Sequence, residues 1–181
     1  MASRRALRAE SVAQELLSEQ GFQTQLPVPV EEIASRLGVV IHWQRFGADD
    51  VSGLLLREPG QAAVIGVNAD NAKSRQRFTI AHELGHYLLH EGKRLVLDRS
   101  VRVNFRDSAS SLATDVEEMQ ANAFAAGLLM PADAVTAELE RIVQGKACSD
   151  DELVDRLART CQVSRSAMEF RLINLGLFTP N

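Results

Sequence analysis

His82, Glu83 and His86 are the residues of this chain whose types and spacing most directly imply chemistry. They lie in Ala81-His82-Glu83-Leu84-Gly85-His86-Tyr87-Leu88-Leu89-His90. From Phe78 to His90 there is no Pro and a single Gly, so the segment can run as a helix. Residues four apart share a helical face. His82 and His86 can therefore offer two imidazole nitrogens to one metal ion while Glu83, one position on, leans over its open side. A His-Glu-x-x-His helix of this kind is the arrangement for metal-assisted hydrolysis, with Zn2+ as the expected metal. The competing reading is an amphipathic core helix whose histidines only hydrogen-bond. Three of the four histidines fall within nine residues, which weighs against it.

Catalytic zinc usually takes three protein ligands and keeps a fourth position for water. No third His follows at the spacing of the HExxHxxGxxH class, so the missing ligand should be a carboxylate on a later helix. Glu118 is the best candidate, because Asn122 lies one helical turn on and can orient a ligating ring. Glu117 is its rival, but the residue one turn beyond it is Ala121, which offers no polar support.

The Glu118/Asn122 pair resembles the second motif of the gluzincin metallopeptidases. The run from Arg75 to His90, the segment from Glu118 to Pro131, and the order of the elements before them together resemble the ImmA/IrrE family of metallopeptidases over roughly residues 5 to 135. The resemblance implies a zinc-dependent endopeptidase of bacterial or phage origin. Its metal ligands would be His82, His86 and Glu118, with Asn122 behind them and Glu83 as general base. It also implies a protein partner as substrate, a helix-turn-helix repressor whose cleavage derepresses stress-response or mobile-element genes. The radiation-response branch of that family carries a further C-terminal sensor-like domain, for which this sequence leaves no room. A signal is then expected to enter through metal availability or a partner. The alternative class is a regulatory module that holds a repressor or DNA without cutting it, and a toxin-antitoxin component is a third. An intact Glu83 favours the enzyme.

With 181 residues, 45% of them hydrophobic and 24% charged, the composition is that of an ordinary globular chain. The net charge of -4 gives no global attraction to nucleic acid. The N-terminus has no signal-peptide core and no apolar run is long enough to span a bilayer, so a cytoplasmic location is expected. Cys148 and Cys161, thirteen positions apart, read as reduced structural residues.

The elements that must position the site are legible in outline. A helix over residues 5 to 20 stops at Gly21, and a short one from Val30 to Leu37 stops at Gly38. Val39, Ile41 and Trp43 alternate with Val40, His42 and Gln44, which predicts a strand with the first set buried and His42 on the other face. Val51 to Leu56 and Ala62 to Val67, joined through Pro59-Gly60, predict an antiparallel hairpin against the metal helix. That helix should run from about Ala72 to His90. His90 has three readings: a supporting or transition-state donor, a substitute ligand, or a C-terminal cap.

A short strand is expected from Arg94 to Leu97. The polar stretch from Asp98 to Ser111 reads as a substrate-contacting lid or a surface loop, with Arg102 and Arg106 as candidate substrate or transition-state contacts beside His90. Thr114-Asp115-Val116-Glu117 resembles a capping box and would start the Glu118 helix. Beyond Pro131 come three further helices. The last two, from Leu153 to Thr160 and from Ser164 to Leu175, resemble a helix-turn-helix with Arg165, Arg171 and Asn174 facing outward. The acidic residues Asp150, Asp151, Glu152 and Asp155 beside them argue against direct DNA binding. The fold expected is therefore α+β: a mostly helical zincin-like domain, residues 1–145, with a small antiparallel sheet packed on the HExxH helix. Residues 146–181 would form a C-terminal helical extension packed on the same domain.

Overall fold

A computed structural model of the chain describes residues 4–46, 51–90, 95–99, 108–145 and 149–179, with backbone alone for 95–99 and 108–114. Among these residues the order is α1 (Arg4–Gln20), α2 (Val30–Arg36), β1 (Val40–Gln44), β2 (Val51–Leu56), β3 (Val64–Asn68), α3 (Lys73–Leu89), β4 (Leu95–Arg99), α4 (Ser108–Leu129), α5 (Ala132–Gly145), α6 (Asp150–Cys161) and α7 (Arg165–Asn174). The class is α+β. The helix stops lie where a left-handed residue is needed: Gly21 and Gly38 have φ of 76° and 73°. Gly60, at φ 76°, turns the chain between β2 and β3.

The strands form one sheet in the order β1-β3-β2-β4. The β2–β3 hairpin is antiparallel as expected, with Leu54 opposite Gly66, and β4 pairs antiparallel with β2. The sheet as a whole is mixed, however, because β1 runs parallel to β3. The connection after β1 skips one position and β3 then fills the gap, so its direction is set by the hairpin with β2. Alternation within a strand carries no information about that order. β1 is also less buried than its pattern predicts, since it stands at the sheet edge. Ile41 is half-buried, and Trp43 is 41% exposed with the Lys73 ammonium 5.6 Å from its ring centre.

Helix α3 lies directly on the hairpin because β2 carries Gly53 at the crossing. A Cβ there would stand 2.3 Å from Thr79 Cγ2 and 2.9 Å from Gly66 O. The first turns of α3 are tied to the chain that feeds it: Gln76 Nε2 donates to the carbonyls of Asn68 and Ala69, and Asn68 Nδ2 donates to Val51 O. On the far side of α3 lies α4, itself packed against α1.

Two expectations about the middle of the chain need correction. α4 begins at Ser108, before the Thr114–Glu117 motif, so that motif lies inside a helix and does not cap one. The preceding Ala-Ser-Ser-Leu-Ala contains no Pro or Gly, so nothing in it stops the helix. With β4 ending at Arg99, the polar stretch is shorter than expected, and Arg102, Arg106 and Cys148 lie outside the described residues.

Ser149 and Glu152 form a capping box at α6, and Ser164 caps α7. Arg171 does not face outward. It is 3% exposed, donates through Nε to Met130 O and pairs through Nη1 with Glu10, so it fastens α7 to the end of α4 and to α1. Arg165 is held by Asp151, Asp155 and Glu169. Val154, Leu157, Cys161, Met168 and Leu172 join the same core as α1, α3 and α4.

Gly53→Ala should lower stability by about 1–3 kcal/mol in urea unfolding, with Gly53→Ala/Thr79→Ser recovering part of the loss. Burial pushes the Cys161 thiol up from 9.0 to about 12. Its folded form thus holds a proton that the unfolded chain gives up near 9. The resulting contribution to stability is intact below pH 9 and lost as pH rises toward 12, and Cys161→Ala should flatten that part of a denaturation–pH curve.

Candidate metal centre

The site is built where α3 and α4 cross. The helices approach so closely at Gly85 that an added Cβ would lie 3.1 Å from Ala121 Cα and 3.2 Å from Ala121 O. Glu118, one turn before Ala121, meets His82 and His86 on α3. Glu118 Oε2 stands 3.2 Å from His82 Nε2, Glu118 Oε1 stands 3.3 Å from His86 Nε2, and the two Nε2 atoms are 3.1 Å apart. Tetrahedral bonds of about 2.0–2.1 Å to a shared ion would place such atoms about 3.3–3.4 Å apart, so small shifts suffice. The histidines are 4% and 1% exposed at the side chain and Glu118 is 39% exposed, so the centre opens on its carboxylate side.

The surrounding hydrogen bonds set what the three groups point at. His82 Nδ1 lies 3.0 Å from Asn122 Oδ1, His86 Nδ1 lies 3.1 Å from His90 Nδ1, and His90 Nε2 lies 3.2 Å from Gln120 Oε1. One assignment satisfies every pair: His82 Nδ1–H donates to Asn122, His86 Nδ1–H donates to His90, and His90 Nε2–H donates to Gln120. Both His82 Nε2 and His86 Nε2 then carry lone pairs, aimed at one another and at a carboxylate. Three lone-pair donors converging in a buried space repel unless a cation sits among them, so the residues fit a divalent metal.

The last turn of α3 is anchored from the sheet. Arg57, just after β2, donates to His86 O at 2.5 Å and His90 O at 2.7 Å, placing a cation at the helix C-terminus. Glu83 is fully buried, on the face shared with Thr79, which touches β2 at Gly53.

Of the residues singled out by sequence, His82, His86, Glu118, Asn122 and His90 come together. Among the described residues, His82, His86 and Glu118 form the group able to hold a metal, and Glu117 is not part of it. His90 supports His86 through its ring and ends α3 through its backbone. Sequence reasoning missed Gln120, Arg57 and Phe78, whose ring stacks on His82 with centres 6.0 Å apart. Gln120 lies about 200° around α4 from Glu118, so periodicity points away from it, and only its length brings it to His90. Phe78 could have been found, because it lies one turn before His82.

A HExxH helix on a mixed sheet, completed by a carboxylate from a second helix, defines the class of metal-dependent peptidases. The chain belongs to the peptidase M78 family: the model described as "IrrE N-terminal-like domain" matches residues 34–173. Among solved structures the chain is similar to a Mycobacterium tuberculosis transcriptional regulator, with TM-score 0.57 and 16% identity, covering 91% of this chain and 46% of that one. The chain thus spans less than half the length of that regulator, and the likeness is one of fold. No curated protein matches. No helix among the described residues is long and apolar enough to cross a membrane.

Chelator competition should show zinc affinity falling by more than about 100-fold in Glu118→Ala and staying unchanged in Glu117→Ala. Asn122→Ala and Gln120→Leu should each cost about tenfold or more, because they release the rings that the ligands depend on.

Proposed function

We propose that this protein is a zinc-dependent endopeptidase that cleaves a helix-turn-helix transcriptional repressor, derepressing stress-response or mobile-element genes in the cytoplasm. The observation that carries the reading is the convergence of His82 Nε2, His86 Nε2 and the Glu118 carboxylate, at 3.1–3.3 Å, beside the buried Glu83. Bound there, zinc supplies Lewis acidity to a scissile carbonyl and to the attacking water. His82 and His86 hold their rings in the ligating tautomer through Asn122 and His90, so only small shifts are needed when the ion enters. Glu83 takes the proton of the water as general base and delivers it to the leaving amine. The partly exposed Glu118 marks the side from which substrate reaches the centre.

Membership of the peptidase M78 family supports the hydrolase, and the fold shared with a transcriptional regulator fits a regulatory substrate. We take residues 146–181 as a helical extension of the 1–145 peptidase unit. With Arg165 held by three carboxylates and Arg171 buried, α7 has little with which to grip phosphate, so direct DNA binding is not part of the proposal. The regulator likeness does favour one second reading, a module that holds a repressor without cutting it.

Incubation with the helix-turn-helix repressor encoded nearest the gene, with zinc or with a chelator and read by intact mass, separates the two. The peptidase gives metal-dependent fragments, and Glu83→Gln binds zinc as tightly as the parent but gives none. A repressor that is bound and stays whole supports the module, and full-rate cleavage by Glu83→Gln removes Glu83 from its role.

A further inference from the structure

The faces of α3 and α4 that bring His82 and Glu118 together continue past the metal centre. Phe78 and Ser74 lie one and two turns before His82, and Asn122, Ala126 and Met130 follow Glu118 at successive turns. Helix α7 stands beside these two stripes with Ala167 and Phe170, enclosing a groove of about 410 Å3. That volume falls within the range of about 300–1,000 Å3 typical of ligand clefts.

Two walls of this groove belong to the metal centre. The Phe78 ring stacks on His82, and Asn122 accepts the His82 Nδ1 proton. A polypeptide lying across the centre therefore cannot pass toward the N-terminal half of α3 without placing a neighbouring side chain here. The groove is apolar along Phe78, Ala126, Met130, Val163, Ala167 and Phe170. The guanidinium groups at its edge are engaged elsewhere, Arg75 with Ser52 Oγ and Arg171 with Met130 O and Glu10. Phe170 stands at the rim 69% exposed, a large aromatic surface continuous with the site. Met130 supplies an adaptable floor for side chains of differing shape.

We propose that this groove is the subsite that selects the substrate: it takes one bulky apolar side chain, Leu, Met or Phe, next to the scissile bond. The proposal deepens the peptidase reading and rests on it for the scissile bond. α7 is then a specificity wall supplied by the C-terminal helices, and Phe170 and Ala167 are specificity-determining residues without a part in the chemistry.

Two arms test it on the full chain loaded with zinc. In the first, capped Gly-Gly-Phe-Gly-Gly and its central Ala and Asp counterparts are titrated into Glu83→Gln while the methyl NMR signals of Ala126, Met130 and Ala167 are followed. The Phe peptide should move them and bind at least about tenfold tighter than the other two. Ala167→Trp, which fills the groove, should abolish the difference, and Phe170→Ala, an exposed change that leaves the core intact, should reduce it, both with zinc affinity unchanged. In the second arm, the wild-type chain cuts a library of unfolded peptides, and its sites should be enriched in Leu, Met or Phe at one fixed position, with Ala167→Trp shifted toward small residues. Binding at these methyls with an uncut library would retain the groove and overturn the peptidase. A Phe peptide that leaves the methyls unmoved, or a library cut with no apolar preference, would overturn the groove.

Discussion

The distance between α3 and α4 at Gly85 governs the rest of the structure. A side chain at that position would meet the Ala121 backbone and Phe124, and backbone cannot swing aside as a flexible side chain can. Glycine within a helix costs about 0.5–1 kcal/mol relative to alanine, and here that cost secures a crossing tight enough for a glutamate on α4 to reach two histidines on α3. The same logic holds on the other face of α3, where Gly53 lets Thr79 sit on the sheet. α3 is thus pressed between two surfaces at positions without side chains, and its ligands have little room to move.

That rigidity matters because the centre is electrostatically unfavourable when unfilled. His82 and His86 are buried, oriented by Asn122 and the His90–Gln120 pair, and aimed at the Glu118 carboxylate. Each supporting bond strengthens the lone pair of the ring it holds, and the fold keeps three such donors together because the α3–α4 packing and the Arg57 cap outweigh their repulsion. The side chains are arranged for a cation, and the group is most open to solvent at Glu118.

The sequence made the candidate ligands legible because helical periodicity places His82 and His86 on one face, and the Glu118/Asn122 spacing repeats the device on the second helix. Helix ends were legible where a left-handed glycine fixed them, as at Gly21 and Gly38. Relations between distant segments were not. The parallel pairing of β1 depends on β3 inserting beside it, the exposure of Trp43 depends on β1 being an edge, and the burial of Arg171 depends on carbonyl and carboxylate partners on α4 and α1. Gln120 was hidden for a related reason: its contact comes from reach across a helix crossing rather than from its place in a repeat. The Thr114–Glu117 motif misled because a capping pattern is local, whereas the helix it sits in already begins at Ser108.

X-ray absorption at the zinc edge on the loaded protein tests the central claim most directly, because it reads the ligand atoms themselves. The account predicts a first shell of nitrogen and oxygen at about 2.0–2.1 Å, with the outer-shell pattern of two imidazoles. A sulfur contribution near 2.3 Å would place the metal at a cysteine, and a shell of water oxygens without imidazole would show that His82, His86 and Glu118 meet without holding an ion.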